Sequence, residues 1–274
     1  MLWEELTARQ FEEAAKQYEV CVLPIGVLEK HGNHLPLGTD MMIVNAVCQT
    51  AAKVEPTIVF PYYFFGQIAE AMHYPGTIAV SHRLMMDSLL AMCDEISRNG
   101  IKKIMIISGH GGNGHFLPFF AQEMPRLGRD YQVYTGTAYN LTPEQNKKIN
   151  ETTKIGSNDF HAGTLETSIL MHVRGDLVNI PAQTPGEGKS LDRLKETQAH
   201  NLFTGFNWYA NQPYHFAGDH THATPELGSM VFDFMVENVV KDIKAVKADD
   251  ESLPLVQQYA KYAQVPSADL RHSK

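Results

Sequence analysis

Several features are scarce in this sequence of 274 residues, and each scarcity excludes a class of protein. Lysine and arginine total 23 against 31 acidic residues, so the net charge is −8 and no basic surface is available for nucleic acid or an anionic membrane. No apolar run approaches the ~18 residues of a membrane-spanning helix. The first residues, MLWEELTARQFEEAAKQ, are acidic and amphipathic, unlike a signal peptide. We therefore expect a soluble, cytoplasmic protein.

Cysteine is also rare. The chain has three, Cys21, Cys48 and Cys93, and each lies in an apolar segment with no C-x-x-C spacing. This pattern predicts buried free thiols in a reducing compartment and excludes a disulfide framework.

Strand-like and helix-like segments alternate through the first half of the chain. The predicted strands are EVCVLPIGV, TIVFPYY, KKIMIISG and YQVYTGTAY, and amphipathic helical segments separate them. One helix should begin at Thr7, which with Gln10 resembles a capping box, and another should be capped by Thr39. This order predicts an α/β fold with a mainly parallel central sheet and helices on its faces.

The pattern loosens after about residue 140. The stretch LTPEQNKKINETTKIGSND is predicted to be a polar loop, and TLETSILMHVR a helix. A long, aromatic-rich insertion follows over 184–226, TPGEGKSLDRLKETQAHNLFTGFNWYANQPYHFAGDHTHATPE. Its last residues lead into a long helix that begins after Thr224. Insertions of this length usually cover or form a site. No linker or repeat divides the chain, so we expect a single domain over 1–274.

The segment EKHGNHLPLGTD concentrates acidic and imidazole groups directly after the first strand. Glu29 and His31 are two positions apart and project to one side of an extended chain, and a Gly/Pro turn can bring Asp40 back to them. Oxygen and nitrogen donors without a thiolate suit Zn²⁺, Mn²⁺ or Fe²⁺. Alternatively, Glu29 and Asp40 cap turns and the histidines are solvated.

Three further motifs carry candidate groups. In SGHGGN, His110 stands where a buried strand ends, and the glycines that follow could form an oxyanion-binding turn with Asn113. In HAGTLETS, His161 and Glu166 are a candidate proton shuttle and ligand. In HFAGDHTHATPE, we expect His215, His220 and His222 to rim a pocket.

These motifs, in this order, resemble the creatininase family of creatinine amidohydrolases and related hydrolases. LPIGVLEKHGNHLPLGTD, SGHGGN, HAGTLETS and GDHTHATPELG carry the resemblance, which runs from about residue 23 to about residue 230. It implies a three-layer α/β/α domain, a site for two divalent metal ions, and a homo-oligomer, commonly a hexamer.

The resemblance also implies roles for particular residues. Matched by position, the metal ligands are Glu29, His31, Asp40, His110 and Glu166, with Asp40 bridging the two ions. The catalytic histidine of the family matches His161. We add Asn113, Trp208 and Tyr209 as candidate substrate-binding residues and assign no role to His34.

The chain departs from the family pattern at one point and from creatininase itself at another. Lys30 replaces the usual glutamine, and Gly111-Gly112 stands where creatininase has a Tyr-Glu pair whose glutamate is a ligand. This difference points away from creatinine as the substrate. Members closer to SGHGGN include a formamide hydrolase, a mycofactocin peptidase and hydrolases that cleave a C–C bond of a cyclic diketone in inositol catabolism. Three alternatives stay open: a metal-dependent amidohydrolase acting on a small cyclic amide or related compound, a C–C hydrolase, and a non-catalytic relative that only binds metal or ligand.

Overall fold

A four-stranded parallel sheet forms the centre of the protein. The structure is a computed structural model, and it describes residues 1–156 and 159–266. The order of the strands across the sheet is β2-β1-β3-β4, and each neighbouring pair is parallel. The strands are β1 (Val20–Ile25), β2 (Ile58–Val59), β3 (Lys103–Ser108) and β4 (Gln132–Thr137).

Ten α-helices surround the sheet in the part of the chain that is described. They are α1 (Ala8–Gln17), α2 (Thr39–Val54), α3 (His82–Arg98), α4 (Asn113–Leu127), α5 (Pro143–Thr152), α6 (Thr164–Arg174), α7 (Lys195–Ala199), α8 (Asn207–Asn211), α9 (Pro225–Ala248) and α10 (Ser252–Gln264). Within the two described ranges, none of these helices is both long enough and apolar enough to cross a lipid bilayer.

The sheet separates two apolar cores because successive strand residues point to opposite faces. On one face, Val20 and Val22 of β1 pack with α2, α6 and α9. On the other face, Cys21 and Leu23 of the same strand pack with α1, α3 and α4. Burial of both faces is what a parallel sheet requires. The predicted mainly parallel sheet with helices on its faces is confirmed.

Several local predictions are confirmed as well. Thr7 and Gln10 form a reciprocal capping box at the start of α1, and the side chain of Thr224 accepts a hydrogen bond from the backbone of Leu227 at the start of α9. Cys21, Cys48 and Cys93 are free and buried.

Other local predictions were wrong. The stretch predicted as a polar loop after residue 140 contains helix α5, which begins with a capping box between Thr142 and Gln145 and buries Ile149. Residues 157 and 158 of that predicted loop lie outside the described residues. Strand β2 pairs over two residues only, although a longer strand was predicted. Thr39 is the first residue of α2 and Gly38 its cap, so the hydroxyl of Thr39 bonds Pro36 instead.

Helices α6 and α9 are packed so closely that one glycine between them has no room for a side chain. A Cβ atom on Gly228 of α9 would overlap the carbonyl oxygen of Ser168 in α6 and lie 3.0 Å from the nitrogen of Ile169. Gly114 in α4 is also helical, but a Cβ atom there would meet nothing within 4 Å.

We therefore expect opposite effects from the same substitution in these two helices. Gly228→Ala should lower the free energy of unfolding by about 1–3 kcal/mol, because α6 and α9 must move apart. Gly114→Ala should raise it by about 0.5 kcal/mol through helix propensity alone. Urea denaturation of both variants measures the difference, and equal free energies of unfolding would contradict the close packing.

Candidate metal centre

Acidic and imidazole side chains converge at the carboxyl ends of β1 and β3, the two central strands. Glu29 follows β1, His110 follows β3, and Asp40 lies in the first turn of α2. The connection from β1 leads to β2 on one side, whereas β3 leads to β4 on the other, so a crevice opens between the two strands at this point. Glu29 and Asp40 are each 1% exposed.

The first triad consists of Glu29, Asp40 and His110. Nδ1 of His110 lies 2.8 Å from Oε1 of Glu29 and 3.1 Å from Oδ2 of Asp40. The opposite nitrogen, Nε2, donates to the backbone carbonyl of Gln67 at 2.7 Å, which leaves the lone pair of Nδ1 directed at the two carboxylates. Both carboxylate oxygens are buried and have no hydrogen-bond partner other than Nδ1 of His110 when that nitrogen is protonated. A bound cation would give these two buried oxygens a polar partner.

The second triad consists of His31, Asp40 and Glu166. Nε2 of His31 lies 3.1 Å from Oδ1 of Asp40 and 4.0 Å from Oε2 of Glu166. Nδ1 of His31 bonds the backbone carbonyl of Glu29 at 3.2 Å, and this orients Nε2 toward the carboxylates. Asp40 therefore presents one oxygen to each triad. The ligand atoms of each triad lie within 4.8 Å of one another, so each could hold a metal ion.

In the absence of metal, protonated histidines stabilise the neighbouring carboxylates of the centre. Burial alone lowers the pKa of His31, but the carboxylates of Asp40, Glu29 and Glu166 together outweigh burial and raise the pKa to about 10. His110 follows the same pattern, because Glu29 and Asp40 overcome burial and raise its pKa well above the usual value. Burial raises the pKa of Glu166 to about 7, although the charge of His31 works in the opposite direction.

Glu166 and His161 come from one short segment at the start of α6. Glu166 lies in the first turn of that helix and accepts a hydrogen bond from the backbone N–H of Ala162, a residue held at a positive φ of 55°. Nε2 of His161 donates to the backbone carbonyl of Lys30 at 2.9 Å, and its Nδ1 lies 3.9 Å from Glu166. Burial, together with the charge of His31, holds the pKa of His161 well below its usual value. His161 is therefore neutral, with a free lone pair on Nδ1.

His215 lies inside the centre, although it was expected to rim a pocket. Its Nε2 bonds the second carboxylate oxygen of Glu29, and its Nδ1 accepts a hydrogen bond from the indole N–H of Trp208 at 3.0 Å. The side chain is 1% exposed, and the backbone has a positive φ of 53°. Trp208 and His215 thus fix one oxygen of Glu29 and leave the other for the first triad.

The other candidate substrate-binding residues have different surroundings. The amide of Asn113 is used within the fold, because it donates to Ser108 at 3.1 Å and accepts from the backbone of Gln67 at 3.0 Å. Tyr209 is 41% exposed, and its ring packs against His73. Trp208 is nearer the centre, with its ring 5.5 Å from that of His161. Contact of these residues with a substrate stays a prediction.

Three other histidines of the predicted motifs, His34, His220 and His222, belong to neither triad. His34 is buried between Thr167 and Gln183, and burial lowers its pKa to about 4, so it is a neutral structural contact. His220 stacks on His34 with ring centroids 4.7 Å apart. His222 is exposed.

Comparison with known proteins identifies what the chain is similar to. The family model described as Creatininase: Creatinine amidohydrolase matches residues 4–243. Creatinine amidohydrolase of Pseudomonas putida is 24% identical over 189 residues, which cover 64% of this chain and 73% of that protein. Mycofactocin precursor peptide peptidase of Mycolicibacterium smegmatis is 27% identical over 238 residues, 85% and 87% of the two chains. The 3-dehydro-scyllo-inosose hydrolase of Thermotoga maritima is 27% identical over 110 residues, 40% and 35%.

Solved structures show the same fold. A Bacteroides fragilis protein provisionally named a creatinine amidohydrolase has a TM-score of 0.78 at 22% identity, over 91% of this chain and 97% of its own. Two creatininase structures, one named Zn-Zn type and one named Mn, have TM-scores of 0.73 and 0.72 at 20% identity. They cover 90% of this chain and 98% and 99% of their own. The expected three-layer α/β/α architecture is confirmed.

Two adjacent glycines allow a test of how His110 is positioned. A Cβ atom on Gly112 would overlap Nε2 of His110 and lie 2.8 Å from the carbonyl oxygen of Gln67, whereas one on Gly111 would meet nothing within 4 Å. Gly112→Ala should break the hydrogen bond that orients His110 and weaken zinc binding about tenfold or more. Gly111→Ala is the matched control and should bind zinc normally. Competition with a zinc chelator measures both affinities, and equal affinities would contradict the role of this contact.

Metal affinity should rise with pH. In the absence of metal, His31 and His110 carry protons at neutral pH, because their pKa values are raised, that of His31 to about 10. An ion that takes these nitrogens displaces the protons, so affinity should increase about tenfold per pH unit for each proton released. The pKa of Glu166 is about 7, so below that pH the second triad must also lose the proton of Glu166 when it binds metal. The plot of log affinity against pH should therefore be steeper below pH 7 than above it for this triad. Zinc competition titrations between about pH 6 and about pH 8 measure the slope, and a pH-independent affinity would show that the triads are not the ligands.

Proposed function

The chain belongs to the creatinine amidohydrolase family, and from this membership we propose that it uses two divalent metal ions to hydrolyse an amide bond of a small substrate. As a family member the chain is a hydrolase; the number of ions, their ligands and the bond cleaved are the proposal. One observation carries it. Oε1 of Glu29 and Oδ2 of Asp40 are buried, converge on Nδ1 of His110 at 2.8 and 3.1 Å, and have no other hydrogen-bond partner.

The two triads provide the proposed ligands. Glu29, Asp40 and His110 would hold one ion, and His31 and Glu166 would hold the other together with the second oxygen of Asp40. These donors suit Zn²⁺, Mn²⁺ or Fe²⁺, and related creatininase structures are named as zinc and manganese forms. Ions bound there would supply Lewis acidity and lower the pKa of water from about 16 toward about 7.

His161 is the proposed proton carrier. Its hydrogen bond to the carbonyl of Lys30 fixes the proton on Nε2, so Nδ1 can accept a proton and later give it to the leaving group. Its lowered pKa keeps the imidazole neutral before the reaction and favours release of an accepted proton to the leaving group. The ring lies 4.3 Å from that of His31, beside both triads. The leaving nitrogen of an amide needs such a donor, because an amide anion is a very poor leaving group.

Cleavage of a C–C bond in a cyclic diketone is the second candidate. The partial similarity to 3-dehydro-scyllo-inosose hydrolase favours it, although that match covers 40% of this chain. Attack on a carbonyl carbon is common to both reactions, and only the leaving group differs. Hydrolysis of an amide releases an amine, whereas opening of a cyclic diketone yields a keto acid and no amine. Assays of both products on a panel of small cyclic amides, formamides and cyclic diketones separate the candidates.

Two substitutions test the assignment of roles. Asp40→Ala should abolish both metal binding and turnover, because Asp40 is the carboxylate shared by the two triads. His161→Ala should retain both ions and lower kcat by about a hundredfold or more, because it removes a proton carrier and no ligand. Metal content by elemental analysis and turnover of the best substrate in the panel measure these effects.

The outcomes distinguish the roles. Loss of an ion from His161→Ala would make His161 a ligand, which its proximity to Glu29 and His31 permits. Full activity of that variant would exclude a proton-carrying role. Turnover by the Asp40→Ala protein would contradict the two-metal proposal itself.

A further inference from the structure

An apolar cavity of about 430 Å³ lies beside the metal centre, between α3, α4 and the long insertion. This size falls within the range of about 300–1,000 Å³ typical of small-molecule sites. Its apolar wall is formed by two methionines of α3, two phenylalanines of α4 and two aromatic residues of the insertion: Met85, Met86, Phe116, Phe119, Phe203 and Trp208.

The cavity adjoins the centre through residues that contact the proposed ligands. Gln67 lines the cavity, and its carbonyl oxygen accepts the hydrogen bond of His110 at 2.7 Å. Trp208 lines it as well, and its indole N–H bonds His215 while its ring edge meets His161. Gln67 and Trp208 therefore form a wall that the cavity shares with the centre.

The charge of the lining restricts that side group. Among the described residues that form the cavity there are one carboxylate, Glu70, two histidines, His82 and His115, and no lysine or arginine. Glu70 accepts a hydrogen bond from the side chain of Gln67 at 2.7 Å. A carboxylate or phosphate group would be desolvated here in the company of the Glu70 carboxylate and would meet no lysine or arginine, which is unfavourable.

We propose that this cavity binds an uncharged aromatic or large aliphatic group of the substrate, attached close to the carbonyl that is attacked. The inference rests on the proposed function of the adjacent centre and narrows its substrate class. It disfavours small, wholly polar substrates, which would leave the cavity wall in contact with water. Exposed aromatic residues at the mouth support it, because Phe119 and Phe203 remain 63% and 75% exposed while they line the cavity.

Hydroxamates with different tails test the cavity without the need for turnover. They chelate divalent ions, so acetohydroxamate reports on the centre alone, whereas 3-phenylpropionohydroxamate adds an apolar tail and succinic monohydroxamate adds a charged one. Calorimetric titration of the zinc-loaded protein gives each Kd. The phenyl tail should tighten binding about tenfold or more relative to acetohydroxamate, because it is removed from water. The carboxylate tail should give no gain.

Neighbouring aromatic residues supply a matched pair of variants. Phe203 lines the cavity, whereas Phe206, on the same segment and 72% exposed, is not among its lining residues. Phe203→Asp and Phe119→Asp should each reduce the gain from the phenyl tail at least threefold and leave the Kd of acetohydroxamate unchanged. Phe206→Asp should retain the full gain. All three side chains are largely exposed, so the variants should fold.

Each result decides a different point. A phenyl tail that adds nothing, or a gain that survives both lining variants, overturns the cavity proposal while the metal centre stands. A change in the mass of the Phe203→Asp protein by sedimentation, without a change in tail preference, would overturn it in favour of coverage by a second copy of the chain. Failure of the zinc-loaded protein to bind acetohydroxamate would instead overturn the proposed function, and the inference with it.

Discussion

The structure depends on one shared aspartate, Asp40, that is held close to two glutamates, the buried Glu29 and the partly buried Glu166. Ligand atoms in each triad lie within 4.8 Å of one another. At that separation two unit negative charges repel by roughly 3–4 kcal/mol for an effective dielectric constant of about 20. Asp40 and Glu166 lie in the first turns of α2 and α6, where the positive end of the helix dipole stabilises a carboxylate. His31 and His110 supply the remaining positive charge as imidazolium, or yield their lone pairs to a cation. Protons and metal ions therefore compete for the same space.

The parallel sheet explains why these side chains meet. Strands β1 and β3 are adjacent although a long stretch of chain separates them, and their carboxyl ends lie at the same edge of the sheet. The residues that follow them, including Glu29 and His110, need no long loop to approach each other. Glycines permit the close approach, since Gly112 leaves His110 room to bond the carbonyl of Gln67. The backbone carbonyls of Glu29, Lys30 and Gln67 then determine which imidazole nitrogen faces the carboxylates.

Much of this could be predicted from residue patterns, and the failures have physical causes. Alternating apolar segments predict the strands, and the ligand candidates stand directly after β1 and β3 or at a helix start, so their convergence follows from the topology. Helix α5 was missed because its composition is polar, although the Thr142–Gln145 capping box signals its start. His215 was misjudged for a different reason: its contact with Glu29 spans 186 positions and depends on a loop with an unusual backbone angle. The only signal for His215 in the sequence was that it is one of three histidines in HFAGDHTHATPE.

The long insertion connects the centre to the cavity. Trp208 donates its indole N–H to His215, which in turn bonds Glu29. The ring of Trp208 also lines the cavity beside α3 and α4. One side chain thus helps to orient a proposed metal ligand and forms part of the wall that would contact a substrate. A group that fills the cavity would pack against the same indole and restrict its movement, so it would also hold His215 and Glu29 in place. Substrate shape and the order of the metal centre would then be coupled through direct contacts. The proposed ligands themselves lie outside this insertion, but Glu29 is held by it, so a change in the insertion would affect the cavity and the centre together.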